Sequence, residues 1–398
     1  MAPRRPNAKK AKSKARSHTA PRKAQDKPPR QLLAEATALL EQADALAALA
    51  AANEALEATG DGGAYAGAAL TLLGEIHLEL GEPEQARAFL ERAAAADPEG
   101  ALPDENGGGV EKFMYLAQLS EDGGHDSVRW FNRGAEALRA QLRGLEAKLA
   151  TTPKVASSRA DLETLAADRK RRLADVLCAV AEVYMTDLSW EADCEAACEG
   201  LVTEATMLAP ESADVWQTVA SVRISQSRED DARAALGRSL EAWQALAPDD
   251  PSVPAFPMRV ALVRLLMTVG LLEKAIEVVE RLVKEDDQSV EVWYLGGYGL
   301  FLIGEALKKA EEEKKGGDDS SSKNWEEFWV SSRRWFRKCL KLFGQQMYED
   351  DRLRDHAVEC LDMITKVIGE APEEEDGEED GDEWEDEEDG DGDEEMAE

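Results

Sequence analysis

Residues 70–98 read LTLLGEIHLELGEPEQARAFLERAAAADP. Apolar, small or ring-bearing side chains fall at Leu70, Leu73, Gly74, His77, Gly81, Ala86, Leu90, Ala93 and Pro98, a spacing that serves two antiparallel helices joined by a short turn. The reason is packing. Gly74 and Ala86 are small enough to let two helix backbones approach, Leu73 and Leu90 fill the space between them, and Pro98, which cannot continue a helix, ends the second. One pair of this kind leaves an apolar stripe in water, so it has to be stacked on others like it.

The spacing recurs along the chain. Trp216, Val219, Ala220, Arg223, Ala232, Leu236 and Ser239 keep it, as do Leu262, Val263, Leu266, Gly270, Ala275, Val279 and Leu282, with Arg259 in the first signature position. A further copy opens with Trp293, Tyr294, Gly297, Leu300 and Gly304; its second helix resumes through Ser332, Phe336 and Cys339 after a polar loop insert at 314–324, KKGGDDSSSKN. Weaker copies run from Leu32 to Thr59, from Phe113 to Leu142 and from Val176 to Ala209, the last holding Ala181, Tyr184, Cys194, Cys198 and Leu201. This pattern resembles the 34-residue tetratricopeptide repeat, and over residues 31–345 the resemblance implies an all-α fold, a right-handed superhelix of about seven helical pairs. Residues 353–368, LRDHAVECLDMITKVI, are amphipathic and suit a C-terminal capping helix. Pro210 and Pro248 arrive about one turn late for the repeat, which predicts lengthened second helices before them, and Thr151 to Ser158 reads as a loop.

Charge divides the 398 residues into three parts. Residues 1–30 hold eleven Lys or Arg and one acid, too polar to bury a core, and are expected to be disordered. Residues 370–398 hold twenty Asp or Glu and no Lys or Arg, and self-repulsion is expected to keep that tail extended. With the head at +10 and the tail at −20 set aside, the solenoid of residues 31–369 still carries −25 of the net −35. An acidic body repels phosphate, so direct nucleic-acid binding is not expected and a basic partner is. Five cysteines, an odd number in a long chain, fit a reducing intracellular setting. Neither a secretory segment nor the roughly 18 apolar residues of a membrane span is visible.

In stacked pairs the first helices line the inner wall. The positions expected there are Glu75, Glu79, Glu182, Asp214, Gln217, Ser221, Ile224, Glu291, Tyr294, Tyr298 and Phe301. Carboxylates attract Lys and Arg, and rings stack on guanidinium planes, so an extended basic peptide suits such a groove. The other reading is that these acids are ordinary solvated residues of an acidic body. Heat-shock co-chaperones of this repeat class clamp a terminal carboxylate with Lys and Asn, whereas the matching positions here are Thr71 and Glu75, Gln217 and Ser221, Val260 and Arg264, Tyr294 and Tyr298. No GxxxxGKS/T, GxGxxG, GxSxG or HExxH string occurs, and an enzyme is not expected. His18 lies in the head, His77 at a packing position, His125 in a predicted turn and His356 on the last helix. Cys194 and Cys198 lie one turn apart at packing positions with no second ligand pair nearby, so neither a metal nor a cofactor is expected.

The order of basic head, degenerate repeats with an insert in the last, and acidic tail resembles the fungal family of assembly chaperones dedicated to ribosomal protein four of the large subunit. That resemblance implies a non-enzymatic escort, cytoplasmic and nuclear, which captures its client as it is made, holds the client's long basic internal loop in the groove, prevents aggregation, and releases it on nuclear pre-ribosomes. The Lys and Arg spacing of residues 3–30 resembles a nuclear-localisation signal, which would add a nuclear import receptor as partner; it equally suits a solvated tail that folds back on the acidic one. The acidic tail suits either shielding of the client from RNA or solubility. A scaffold joining subunits of another complex, or a chaperone of other basic clients such as histones, are the alternatives.

Overall fold

A computed structural model of the chain describes residues 27–60, 62–102, 109–121, 123–153, 157–313 and 324–370. The expected basic head up to residue 26, the insert up to residue 323 and the acidic tail from residue 371 lie outside the described residues. Among the described residues there are fifteen α-helices and no strand, in two compact units that divide after Cys194.

The first unit contains α1 (Pro29–Glu41), α2 (Ala45–Thr59), α3 (Ala66–Glu79), α4 (Pro83–Ala96), α5 (Glu111–Gln118), α6 (Gly124–Thr151) and α7 (Ser157–Met185). Helix α1 opens inside the segment expected to be disordered, because Pro29 presets its own φ at a position where no amide donor is needed. The pairs α1/α2, α3/α4 and α5/α6 pack as hairpins. Their first core joins Leu32, Leu33 and Ala36 to Ala48, Ala52 and Ala55 and to Leu73 and Ile76, so alanines bring the axes close and leucines fill the gaps. The close approach expected at Gly74 is present: a Cβ there would lie 2.5 Å from Leu90 Cγ. His77 takes the aromatic position of its repeat, stacked on Phe89 at 5.2 Å.

Helices α6 and α7 are 28 and 29 residues long and pack on each other. They run through Leu142 and Val176, where the repeat pattern stops and restarts, because Leu138, Leu142 and Leu145 on one side and Ala166, Leu173 and Leu177 on the other continue a single buried stripe. His125, expected in a turn, sits in the first turn of α6 with Nε2 3.1 Å from Glu191 Oε1. The link from α4 to α5 is tied by a buried ion pair, Lys112 Nζ to Asp97 Oδ2 at 2.9 Å, with exposures of 0% and 5%. Asp97 Oδ1 also accepts the Ala101 amide at 2.9 Å, and Lys112 donates to the Gly109 carbonyl at 3.2 Å.

The second unit contains α8 (Cys194–Leu208), which begins at the division, α9 (Ala213–Ser225), α10 (Glu229–Glu241), α11 (Phe256–Thr268), α12 (Leu272–Glu285), α13 (Val290–Glu313), α14 (Trp325–Gln346) and α15 (Asp351–Ile368). The pairs α9/α10, α11/α12 and α13/α14 form hairpins, and α15 packs on both α13 and α14 as the expected cap. The second helices before Pro210 and Pro248 are not lengthened: α8 has 15 residues and α10 has 13. After α10 the extra residues form a turn whose Trp243 is buried to 1% exposure, with the Arg281 guanidinium 4.8 Å from its ring and bonded to the Gln244 carbonyl at 2.7 Å. Across the insert, α13 and α14 meet in register. A Cβ on Gly297 would lie 2.9 Å from the Phe336 ring, and the buried Ser332 hydroxyl donates to the Gly297 carbonyl at 2.7 Å. No helix among the described residues is long and apolar enough to cross a membrane.

Candidate functional site

In the first unit, Glu75 and Glu79 lie one turn apart on α3, the former half-buried and the latter exposed. Helix α5 packs on α3 and brings up Tyr115, which the sequence reading did not single out. Its hydroxyl bonds the Glu75 carboxylate; burial, and then the negative charge of Glu75 and Glu79, pushes the phenol up to about 12. Tyr115 therefore stays a hydrogen-bond donor at neutral pH and fixes Glu75. Leu116 and Ala117, both buried, set the register that turns Tyr115 to α3 in an α5 of only eight residues, too short for the repeat spacing to mark its inward face. Glu182 stands apart on α7. It remains exposed as a residue, while desolvation of its carboxyl raises its pKa.

In the second unit, Asp214, Gln217 and Ser221 follow at i, i+3 and i+7 on one face of α9. Asp214 is half-buried; its Oδ1 has no hydrogen-bond partner among the described residues, and desolvation raises its pKa. Gln217, expected on the inner wall, is only 3% exposed, too deep to touch a ligand. The Ser221 hydroxyl donates to the Gln217 carbonyl at 3.1 Å, and Ile224 is half-buried.

Asp214→Asn is expected to raise the thermal midpoint at pH 7 by on the order of 2 °C. A carboxyl whose pKa is raised in the fold is destabilising when ionised; that cost is fully present above the folded pKa and is lost as pH falls toward the unfolded value. The gain should therefore shrink on acidification through the carboxylate range, as thermal melts at both pH values would register; a gain independent of pH would mean that the charge of Asp214 is not its cause.

On α13, Glu291 is paired with Arg264 of α11 at 2.5 Å, where Arg264 is 62% exposed, so part of its negative charge is met within the chain. The rings of Tyr294 and Tyr298 stack at 6.1 Å. His356 of α15 lies against both, with Nδ1 2.9 Å from the Tyr294 hydroxyl and its ring edge-on to Tyr298 at 5.0 Å. Burial pushes the Tyr294 phenol up to about 12, and both tyrosines stay half-exposed. Phe301 does not line this face: it is 3% exposed and stacked on Trp329 of α14 at 5.3 Å, because the helix after the insert closes over it.

The structure thus brings Glu75, Glu79 and Tyr115 together in one unit; in the other it brings Tyr294, Tyr298 and His356 together and sets Glu291, against Arg264, one turn before Tyr294 on the same helix. Partly desolvated carboxylates beside neutral phenols can accept hydrogen bonds from ammonium and guanidinium groups and offer ring faces to their stems. No group of three or more His, Cys, Asp or Glu placed to hold a metal ion occurs among the described residues. Burial pushes the thiols of Cys339 and Cys360 up to about 12 and about 11, so both are protonated at neutral pH and poor nucleophiles.

A tetratricopeptide-repeat family model matches residues 67–99. The chain is 43% identical over 374 residues to a probable assembly chaperone of rpl4 from Emericella nidulans, an alignment spanning 93% of this chain and 91% of that one. A probable assembly chaperone of rpl4 from Schizosaccharomyces pombe is 28% identical over 301 residues, 75% of this chain and 80% of its own. Among solved structures, the assembly chaperone of RpL4 (Acl4), residues 1–338, is 56% identical with a TM-score of 0.66, covering 72% of this chain and all of that one.

Proposed function

The chain belongs to the family of fungal assembly chaperones of rpl4, and from that premise we propose that it holds a basic, extended segment of newly made rpl4 on the acidic faces of its first helices, keeps that segment from aggregating, and escorts rpl4 to nuclear pre-ribosomes. One observation carries the reading: the Glu75 carboxylate meets the half-buried Tyr115 phenol in one unit, and Glu291 precedes the stacked Tyr294 and Tyr298 by one turn of the same helix in the other, in a chain of net charge −35. A ribosomal protein needs cationic segments to neutralise RNA phosphate. Before assembly that charge has no counterpart, and an acidic surface supplies one without catalysing any reaction. The Lys and Arg of residues 1–30 support a nuclear destination through an import receptor.

The test is to purify the full chain from its source and identify what co-elutes in stoichiometric amount. Ribosomal protein rpl4 alone is expected. Several acidic or neutral subunits would instead mark a scaffold, and a histone would keep the charge logic while overturning the client. Affinity for a synthetic peptide of the client's basic loop should fall as salt rises from about 0.1 M to about 1 M, which shortens the screening length from about 10 Å to about 3 Å. It should not vanish, because the tyrosine contacts are insensitive to salt.

A further inference from the structure

One helix runs against the charge of the body. On α14, Arg333, Arg334, Arg337, Lys338 and Lys341 place five cations in nine residues, and no acid occurs from Phe328 to Gln346. Arg334, Arg337, Lys338 and Lys341 fall at i, i+3, i+4 and i+7, a single face, while Trp329, Ser332, Phe336, Cys339 and Leu342 on the other side are buried in the core. Arg334 and Lys341 are exposed and Arg337 and Lys338 half-buried, with Lys338 Nζ 5.8 Å from the Trp293 ring.

The fifth cation ties down the C-terminal end of α15. Arg333, 4% exposed, donates from Nη1 to the carbonyl of Gly369 at 3.0 Å. Gly369 follows the last residue of α15 and turns the backbone at φ 80°. Gly369 thus lies beside α14, and the 28 residues 371–398 hold nineteen Asp or Glu and no Lys or Arg. The stretch from Arg334 to Lys341 is about 11 Å long at 1.5 Å per helical residue, whereas 28 extended residues reach up to about 90 Å. A tether of that length keeps the acids near the helix at an effective concentration that an anion from solution would have to exceed.

We propose that the acidic segment 371–398 docks on the Arg334, Arg337, Lys338 and Lys341 face of α14 as an intramolecular strap. The strap occupies the chain's own cationic helix, withholds it from RNA phosphate, and leaves the carboxylate faces of the first helices open to a basic ligand.

The test uses the full chain with Trp384 replaced by the photo-crosslinker p-benzoylphenylalanine. On illumination, cross-links are expected within the same molecule to peptides spanning residues 334–346, with a yield that falls severalfold in Arg334→Glu/Lys341→Glu and on raising salt from about 0.1 M to about 1 M. Should the charge-reversed helix fail to fold, neutralising Glu385→Gln, Asp386→Asn, Glu387→Gln, Glu388→Gln and Asp389→Asn leaves α14 untouched and should give the same loss. Cross-links confined to residues 1–30 or to a second copy would overturn the strap, as would a yield indifferent to both sets of substitutions. Cross-links that miss α14, together with an RNA oligonucleotide that the full chain retains through Arg334 and Lys341, would mark the face as an RNA site instead.

Discussion

Replacing Glu75, Glu79 and Glu291 together by Lys is expected to weaken capture of rpl4 at physiological salt at least severalfold while leaving helicity by circular dichroism unchanged. Each partly exposed charge pair contributes about 0.2–1 kcal/mol. Reversal removes three attractions and adds three repulsions, on the order of 1–5 kcal/mol in all, which weakens binding roughly fivefold to several-thousandfold. The fold should tolerate the change, since Glu79 is exposed, Glu75 half-buried, and Glu291 meets only an exposed Arg264. At Glu291 the new Lys would face that arginine, so Glu291→Gln is the control that removes charge without local repulsion. An affinity unchanged by the triple reversal would mean that the client sits elsewhere on the molecule.

Asp97→Ala is expected to cost about 3–5 kcal/mol of stability, read as a lower urea midpoint. The substitution leaves the Lys112 ammonium, 0% exposed, without its carboxylate 2.9 Å away, and frees the Ala101 amide as well. Desolvating a charge without a counter-charge is the expensive step, so a double change of Asp97→Leu and Lys112→Met should restore most of the loss. If Asp97→Ala costs under about 1 kcal/mol, the pair does not anchor the link from α4 to α5 and water reaches Lys112. This link also positions Tyr115, so the variant should weaken client capture indirectly.

What the sequence disclosed and what it hid differ in range. The fit of Gly74 to Leu90, and of Gly297 to Phe336 across an insert, is written in the sizes of side chains at fixed spacing, and both were legible. Depth was not. The inward direction of Gln217 and Phe301 follows from helix periodicity, but whether a neighbouring helix then covers them depends on tertiary approach, and both are buried. Partners were hidden for the same reason: Arg264 beside Glu291 and Lys112 beside Asp97 come from different helices or from a turn that periodicity does not describe. The lengths of α6 and α7 escaped because Leu142, Leu145 and Leu173 prolong a stripe beyond the repeat's own boundaries, which spacing within a repeat does not record.

The notch at Gly297 settles a further matter. Because the Phe336 ring and the Ser332 hydroxyl seat themselves against one backbone position, α13 and α14 find their alignment from mutual shape. The peptide that joins them is thereby released from any duty as a spacer, and that stretch of the gene is free to lengthen, shorten or acquire a processing sequence without the two helices losing their fit.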